Sequence, residues 1–241
     1  MKELNCETLE VNSLTNQIYQ IRLQAVNGEL FDFKGGQYLY LLMPDGKRIP
    51  LSIASAPEQK SFIELHIRLI PGHELAASML NLFKTAKKLH IDGPYGQCVL
   101  RESENNIVII AGGTGFSPMK SLLESALAKP IKRKISLYLG AQTEAELYQT
   151  PLIESWDTTN TDFNYVPVVS EAGGNWQGRI GFPHQIALND IENAISGYDF
   201  YISGSETMVM NVYQCLLKAG ANKHNIFSDI LDIKREMGEL I

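Results

Sequence analysis

Ile107-Val108-Ile109-Ile110-Ala111-Gly112-Gly113-Thr114-Gly115-Phe116-Ser117-Pro118 is the stretch that decides between fold classes. Its first five residues are apolar without interruption, the mark of a strand buried on both faces of a parallel sheet. Glycines follow, where the backbone can come close to a ligand, and the N–H groups of a helix start favour an anionic oxygen. Pro118 suits the first helical turn, because the N–H it lacks has no acceptor there. A pyrophosphate is the natural guest of such a turn; a tight strand–helix corner with no ligand is the plain alternative. The match to the dinucleotide fingerprint is partial. Gly113 and Gly115 supply two glycines, Pro118 stands where a third belongs, and the acidic ribose reader expected about 20 residues on is replaced by Lys132-Arg133-Lys134. No Gly-Lys-Ser/Thr follows, which excludes a Walker loop.

Downstream of this corner the pattern alternates. A helix is expected from about Pro118 to Ala128, then strands at Ile135–Leu139, Tyr165–Val169 and Phe200–Ser203, with helical patterns on either side of the last. Such alternation predicts a doubly wound α/β domain with a parallel sheet. Upstream the rhythm is different. Cys6–Val11, Ile18–Ala25, Tyr38–Met43, Pro50–Ala54, Phe62–Arg68 and Leu89–Asp92 are short strand candidates, separated by turn signals at Asn27-Gly28, Gly35-Gly36 and Pro44-Asp45-Gly46. One helix, near Glu74–Phe83, interrupts them. Closely spaced strands of this kind predict a small antiparallel β-barrel. The boundary falls near residues 101–106, dividing the chain into 1–103 and 104–241.

The bulk composition fits two small domains: 241 residues, 44% hydrophobic and 20% charged. A net charge of -6 argues against a nucleic-acid partner, and Lys132–Lys134 reads as a solvated lead-in to a strand. No run approaches the ~18 apolar residues of a membrane helix, and Met1–Asn5 lacks the apolar core of a signal peptide, so a cytoplasmic location is expected and no membrane partner. Cys6, Cys98 and Cys215 are scattered, and the five histidines show no ligand-like pairing, so no metal site is expected.

The glycine corner has company. Gly36-Gln37-Tyr38, Ser52-Ile53-Ala54-Ser55-Ala56-Pro57, Ile63-Glu64-Leu65-His66-Ile67-Arg68 and Gly93-Pro94-Tyr95-Gly96 precede it, and Trp176-Gln177-Gly178-Arg179-Ile180-Gly181 and Ser203-Gly204 with Met208 follow. In this order they resemble the ferredoxin–NADP reductase superfamily, most closely its single-chain NAD(P)H-flavin reductases. The resemblance runs to about Asp229. It implies that 1–103 is a flavin-binding barrel and 104–241 a nicotinamide-binding α/β domain, with the flavin and nicotinamide rings stacked in the cleft between them. On this resemblance Ser52 is the catalytic residue, hydrogen-bonding flavin N5. The backbone around Ile53-Ala54 and His66-Ile67 would hold the isoalloxazine edge and ribityl chain, with Arg48, Leu51 and Arg68 beside them. Gly112, Gly113, Thr114 and Gly115 would face the pyrophosphate, with Gln142 and Gly204 also on the nicotinamide nucleotide. The plain readings are a strand hydroxyl for Ser52 and a half-buried strand histidine for His66. Hydride transfer between two cofactor rings needs alignment and exclusion of water, and no nucleophile.

Two departures shape the expected activity. Relatives carry an arginine three residues before the serine and an aromatic residue just before it; here these are Ile49 and Leu51. Arg48 is one position early, and a one-residue shift in a strand turns the side chain over unless a bulge intervenes. Weak retention of flavin phosphate follows, so that flavin acts as a substrate, with riboflavin, FMN and FAD left open. Gln142 stands where relatives often have arginine, which leans towards NADH over NADPH, although Lys132–Lys134 or Arg179 could supply charge to a 2′-phosphate. The alternatives are a reductase component that keeps its flavin and delivers electrons to a partner protein, and a binding module without turnover.

Overall fold

The computed structural model describes residues 2–128 and 132–240, without the side chains of Glu192 and Asn193. Two compact units form, Met1–Leu100 with Lys120–Ala128, and Arg101–Met119 with Lys129–Ile241.

The first unit contains β1 (Lys2–Ser13), β2 (Ile18–Ala25), β3 (Tyr38–Leu42), β4 (Arg48–Ser52), β5 (Ile63–Arg68) and β6 (Leu89–Tyr95), in the order β4-β3-β6-β1-β2-β5. Neighbours pair antiparallel throughout. The two ends of the sheet then meet, because Ile53 bridges Leu65 and the Ala54 N–H donates to the Glu64 carbonyl at 2.7 Å. Closure of this kind removes exposed strand edges, and the result is the barrel expected. Alternation supplies its core: Ile21 and Leu23, Leu39 and Leu41, and Ile63, Leu65 and Ile67 all point inward. Helix α1 (Glu74–Thr85) adds Ala76, Met79, Leu80 and Phe83 to the same core, a spacing that puts all four on one helical face. Its start is capped by His73, whose side chain accepts the Ala76 N–H.

The fourth strand is offset from its expected span of Pro50–Ala54. It begins at Arg48 because Arg48 pairs with Leu42 and the register runs unbroken to Ser52 opposite Tyr38. After Ser52 the chain leaves β3 and crosses to β5.

The second unit contains β7 (Asn106–Gly112), β8 (Ile135–Ala141), β9 (Phe163–Val169), β10 (Arg179–Ile180), β11 (Tyr198–Ser203) and β12 (Ile226–Phe227). Their order is β10-β9-β8-β7-β11-β12 and every pairing is parallel. From β7 the chain steps outward through β8 and β9 to β10, then returns to the other flank of β7 for β11 and β12. The C-terminal ends of β7 and β11 therefore form a topological switch point, the place where open α/β sheets bind ligands. Ile107–Ala111 are all fully buried, as an interior parallel strand requires. The helices are α2 (Phe116–Leu127), α3 (Thr150–Thr159), α4 (Pro183–Ile191), α5 (Glu206–Lys218) and α6 (Asp229–Glu236).

Helices α3 and α6 and the two-residue strands β10 and β12 are not foreseen by the sequence pattern. In α3 the single buried side chain reported is Ile153, too little for a helical stripe. Around α6 the charged run from Asp232 to Glu239 is a set of ion pairs: Arg235 with Asp232 at 2.8 Å, and Lys234 with both Glu206 and Glu239 at 2.7 Å.

In the basic run at 132–134 Lys132 and Lys134 are exposed ahead of β8, as a solvated lead-in requires, and Arg133 departs from that expectation. Arg133 is buried. Its Nη2 donates to Asp199 Oδ2 at 2.5 Å, Nη1 to the Arg101 carbonyl at 2.7 Å and Nε to the Asn105 carbonyl. Asp199 also accepts from Ser103 Oγ at 2.6 Å and Asn105 Nδ2 at 2.9 Å. The guanidinium is taken out of water because its donors find matching acceptors where β7, β8 and β11 begin. Asp199→Ala would leave that cation buried without its counter-charge and should cost about 3–5 kcal/mol. A lower midpoint of urea unfolding with an unchanged m-value would register the loss.

Candidate active site

On the barrel, residues opposite one another on β3 and β4 share a face. Ser52, Pro50 and Arg48 lie with Tyr38, Tyr40 and Leu42, while Leu51 and Ile49 lie with the buried Leu39 and Leu41. Tyr95, on β6, completes an aromatic patch beside Ser52. It stacks on Tyr38 with centroids 5.8 Å apart and an interplanar angle of 24°, and Tyr40 meets both edge-on at 5.6 and 5.0 Å. The Arg48 guanidinium lies 4.6 Å from the Tyr40 ring centre, and its Nη2 donates to Asp92 Oδ2 at 2.6 Å and to Tyr95 OH at 3.0 Å. Arg48 thus shares the face of Ser52, with its charge answered by a carboxylate.

The other barrel positions expected at the site lie differently. Leu51 packs against the core, and the side chains of Ile53, Ala54 and Ile67 are buried. The Ile53 N–H donates to the Gln37 carbonyl at 3.0 Å, the Ala54 N–H is engaged with Glu64, and the Ala54 carbonyl accepts from Lys120 Nζ at 3.3 Å. Neither N–H is left to donate to a ligand. His66 is wholly enclosed, with Nε2 3.0 Å from Glu64 Oε1, so its imidazole serves the interior. Arg68 donates through Nε and Nη2 to Gln17 Oε1 at 3.2 and 3.1 Å.

Around His66 lies a buried ionic cluster. Lys120 Nζ is 3.2 Å from Glu64 Oε1 and 2.9 Å from Glu124 Oε1, and Arg22 Nε is 3.3 Å from Glu64 Oε2. Burial pushes the Glu64 carboxyl up, but the His66 hydrogen bond and the Lys120 charge outweigh it and hold the group at about 2. Burial pulls His66 below the usual histidine range, against the opposing pull of Glu64, and keeps it neutral.

At the switch point of the second unit, the glycines are required by what they touch. A Cβ on Gly115 would stand 2.4 Å from the Ser203 carbonyl oxygen and 2.6 Å from the Gly204 nitrogen. A Cβ on Gly112 would stand 2.5 Å from Met208 Sδ, and one on Gly204 2.7 Å from the same sulfur. Gly112, Gly113, Thr114, Gly115 and Gly204 therefore converge, closing a backbone-lined corner at the N-terminus of α2. Ser205 caps α5 beside it, accepting from the Met208 N–H at 3.3 Å.

Gln142 lies just past β8 on the same edge of the sheet. Pairing continues beyond the strands there: the Ser170 N–H donates to the Ala141 carbonyl at 3.1 Å and the Glu171 N–H to the Gln142 carbonyl at 2.8 Å. The Gln142 amide in turn donates to Glu171 Oε1 at 2.8 Å. Arg179 is occupied by Asp190, Nη2 to Oδ1 at 2.8 Å, while Arg133 is engaged at the beginnings of the strands, the opposite edge of the sheet.

Two family models divide the chain between them. The oxidoreductase FAD-binding domain matches residues 5–99, and the oxidoreductase NAD-binding domain matches residues 109–214. An NAD(P)H-flavin reductase of Vibrio harveyi is 35% identical over 208 residues, covering 83% of this chain and 86% of that protein. The chain belongs to the NAD(P)H-flavin reductase group of the ferredoxin reductase family. A CDP-6-deoxy-L-threo-D-glycero-4-hexulose-3-dehydrase reductase of Yersinia pestis is 31% identical, over 95% of this chain and 68% of its own length. Among solved structures, the Amycolatopsis cytochrome P450 reductase GcoB superposes with a TM-score of 0.85 at 25% identity, over 95% of this chain and 69% of that one.

Membership in this reductase family can be tested against the residues. A half-exposed aromatic patch beside a hydroxyl suits a planar heteroaromatic ring, and the glycine corner suits a pyrophosphate. Both groups fit. Tyr38, Tyr40, Tyr95 and Asp92 share the face of Ser52 without being among the site residues expected from the sequence, although Tyr38 and Tyr95 lie inside the quoted motifs; strand parity with Ser52 is the signal that finds them.

Folded Glu64 and His66 both bind protons less readily than their unfolded counterparts. Stability is therefore full above the ordinary histidine value of 6.5 and declines as pH falls below it, then declines again between the ordinary carboxyl value of 4.5 and about 2. Thermal midpoints measured against pH should show both phases, and Glu64→Gln should lack the lower one. Lys120→Met should cost about 3 kcal/mol, the low end for stripping one partner from a buried pair, since Arg22 still faces the carboxylate.

Proposed function

We propose that this protein transfers a hydride from a reduced nicotinamide to a loosely held flavin, riboflavin or FMN, and releases the reduced flavin. Residues 1–103 serve as the flavin-binding part and 104–241 as the nicotinamide-binding part. The observation that carries this reading is the joint presence, in one chain, of FAD-binding and NAD-binding oxidoreductase domains. The Vibrio harveyi relative, matched over 86% of its length, supports flavin as the acceptor. The nicotinamide supplies the hydride and the flavin ring accepts it; the chain's own work is binding, orientation and exclusion of water.

Ser52 is the group assigned to flavin N5, because a hydroxyl can donate or accept as that nitrogen changes protonation. The tyrosine patch offers the ring a surface. Arg48, already paired with Asp92, contributes little free charge to a flavin phosphate, which supports exchange of the flavin over permanent retention. Gly112, Gly113, Thr114 and Gly115 bind the pyrophosphate through backbone N–H groups, with Gly204 closing the corner.

The relative from Yersinia pestis, named as a reductase of a dehydrase, favours a second reading in which electrons pass to a partner protein. Purified protein that stays yellow with stoichiometric flavin would select this second reading. Among the described residues Cys6, Cys98 and Cys215 form no disulfide, which suits a reducing compartment, and we assign the protein to the cytoplasm. Among the described residues no helix is long and apolar enough to cross a membrane.

Anaerobic stopped-flow mixing of the protein with NADH and either riboflavin or FMN should bleach the visible absorbance of the flavin. Ser52→Ala should slow that step about 10–100-fold, the scale for losing one hydrogen bond that strengthens in the transition state, with a much smaller change in flavin affinity. Equal rates in variant and wild type would remove Ser52 from the chemistry. Absence of flavin reduction with either nicotinamide would sink the reading altogether.

A further inference from the structure

We propose that Lys120 is a positioning residue for hydride transfer, fixing the turn that follows Ser52 so that the serine hydroxyl is held for flavin N5. The inference rests on the role proposed for Ser52 and deepens it, by naming the group that acts through that serine.

β4 ends at Ser52, and the residues that follow cross to β5 under close restraint. The N–H groups of Ile53 and Ala54 donate to the Gln37 and Glu64 carbonyls at 3.0 and 2.7 Å. The Glu64 N–H donates in turn to Ser55 Oγ at 3.0 Å. The carbonyls of the crossing are held from α2. Lys120 Nζ donates to the Ala54 carbonyl at 3.3 Å, and Ser121 Oγ to the Ser55 carbonyl at 2.6 Å. This part of α2 stands against the barrel backbone: a Cβ on Gly35 would lie 2.7 Å from the Ser121 carbonyl oxygen and 2.8 Å from Leu122 Cα. Main-chain contact therefore sets the distance from which Lys120 and Ser121 reach the turn.

The number of donors explains why a lysine stands here. An ammonium group carries three N–H bonds and accepts none. Two are directed to carboxylates, Glu64 Oε1 at 3.2 Å and Glu124 Oε1 at 2.9 Å, which answer its charge. The third reaches the carbonyl of Ala54, two residues past Ser52. Charge balance alone would be met by the carboxylates; the carbonyl bond is the one that restrains the turn. Glu64 is itself held by Arg22 at 3.3 Å and His66 at 3.0 Å, so the ammonium is seated on a fixed partner. Lys120 is buried, and a donor left unmet there is costly, so the three bonds act together. Hydride transfer depends steeply on alignment, and a misplacement of about 1 Å costs about 10²-fold. A serine beside a loosened turn would lose that alignment while the flavin still bound.

The test combines a double-mutant cycle with hydrogen exchange. At saturating flavin, Lys120→Met should slow anaerobic reduction of riboflavin by NADH about tenfold, with the riboflavin Kd from calorimetry changed less than about twofold. In a Ser52→Ala background the same substitution should slow it less than about twofold, because the group being positioned is already absent. Ser121→Ala, which removes the other carbonyl bond, should show the same pattern at about threefold and carries the same cycle if Lys120→Met fails to fold. In the ligand-free protein, amide exchange should quicken at Ala54 by a larger factor than along β1, whose amides report on the barrel as a whole. Equal slowing with and without the Ser52 hydroxyl, or exchange at Ala54 that merely follows β1, would overturn the positioning role and leave Ser52 in place. Rates unaltered by both Lys120→Met and Ser121→Ala would do the same. A Ser52→Ala rate equal to that of wild type would overturn the reading of Ser52 and this inference together.

Discussion

The approach of two backbone loops at the ends of β7 and β11 is the constraint from which the nucleotide half of this protein follows. With the Gly115 position only 2.4 Å, measured from a would-be Cβ, from the Ser203 carbonyl, any side chain there would force the loops apart. Met208 applies the same pressure at Gly112 and Gly204. What remains is a corner made of main chain, at a helix N-terminus, in the place where strand order reverses. Such a geometry suits an anionic group, which backbone N–H donors at a helix N-terminus favour.

The barrel solves a different problem. Its sheet closes through one bridge, Ile53 to Leu65; closure takes up the Ala54 N–H, and the Gln37 carbonyl beside β3 takes up that of Ile53. The segment after Ser52 is therefore held by the protein itself, with Lys120 and Ser121 binding the carbonyls of Ala54 and Ser55. Three ionisable residues of that region, Glu64, His66 and Lys120, are buried together, so the position of the segment depends on a cluster whose members must keep their protonation states. The outer face, where Ser52 lies among tyrosines, is free of that ionic cluster.

The fold was legible in the sequence wherever burial imposes a period. Ile107–Ala111 announced a parallel strand, and the alternation in Ile18–Ala25 announced an antiparallel one. Elements that bury almost nothing, such as α3 with Ile153 and β10 with two exposed residues, left no pattern to read. Arg133 misled for a related reason: a basic triplet looks solvated unless its acceptors are known, and Asp199 and the carbonyls of Arg101 and Asn105 come from other parts of the chain. At the candidate site, motif order is what singles out the glycines and Ser52 in the sequence. Strand parity, which turns Leu51 inward and puts Tyr38 beside Ser52, needed the register.

The parallel sheet keeps a buried ionic fastening, Arg133 with Asp199, where its strands start, and the glycine corner where they finish. The two rims are thus independent of one another. Side chains on the finishing rim can be exchanged without loosening the fastening, so the scaffold beneath tolerates change at the end where open α/β sheets bind ligands.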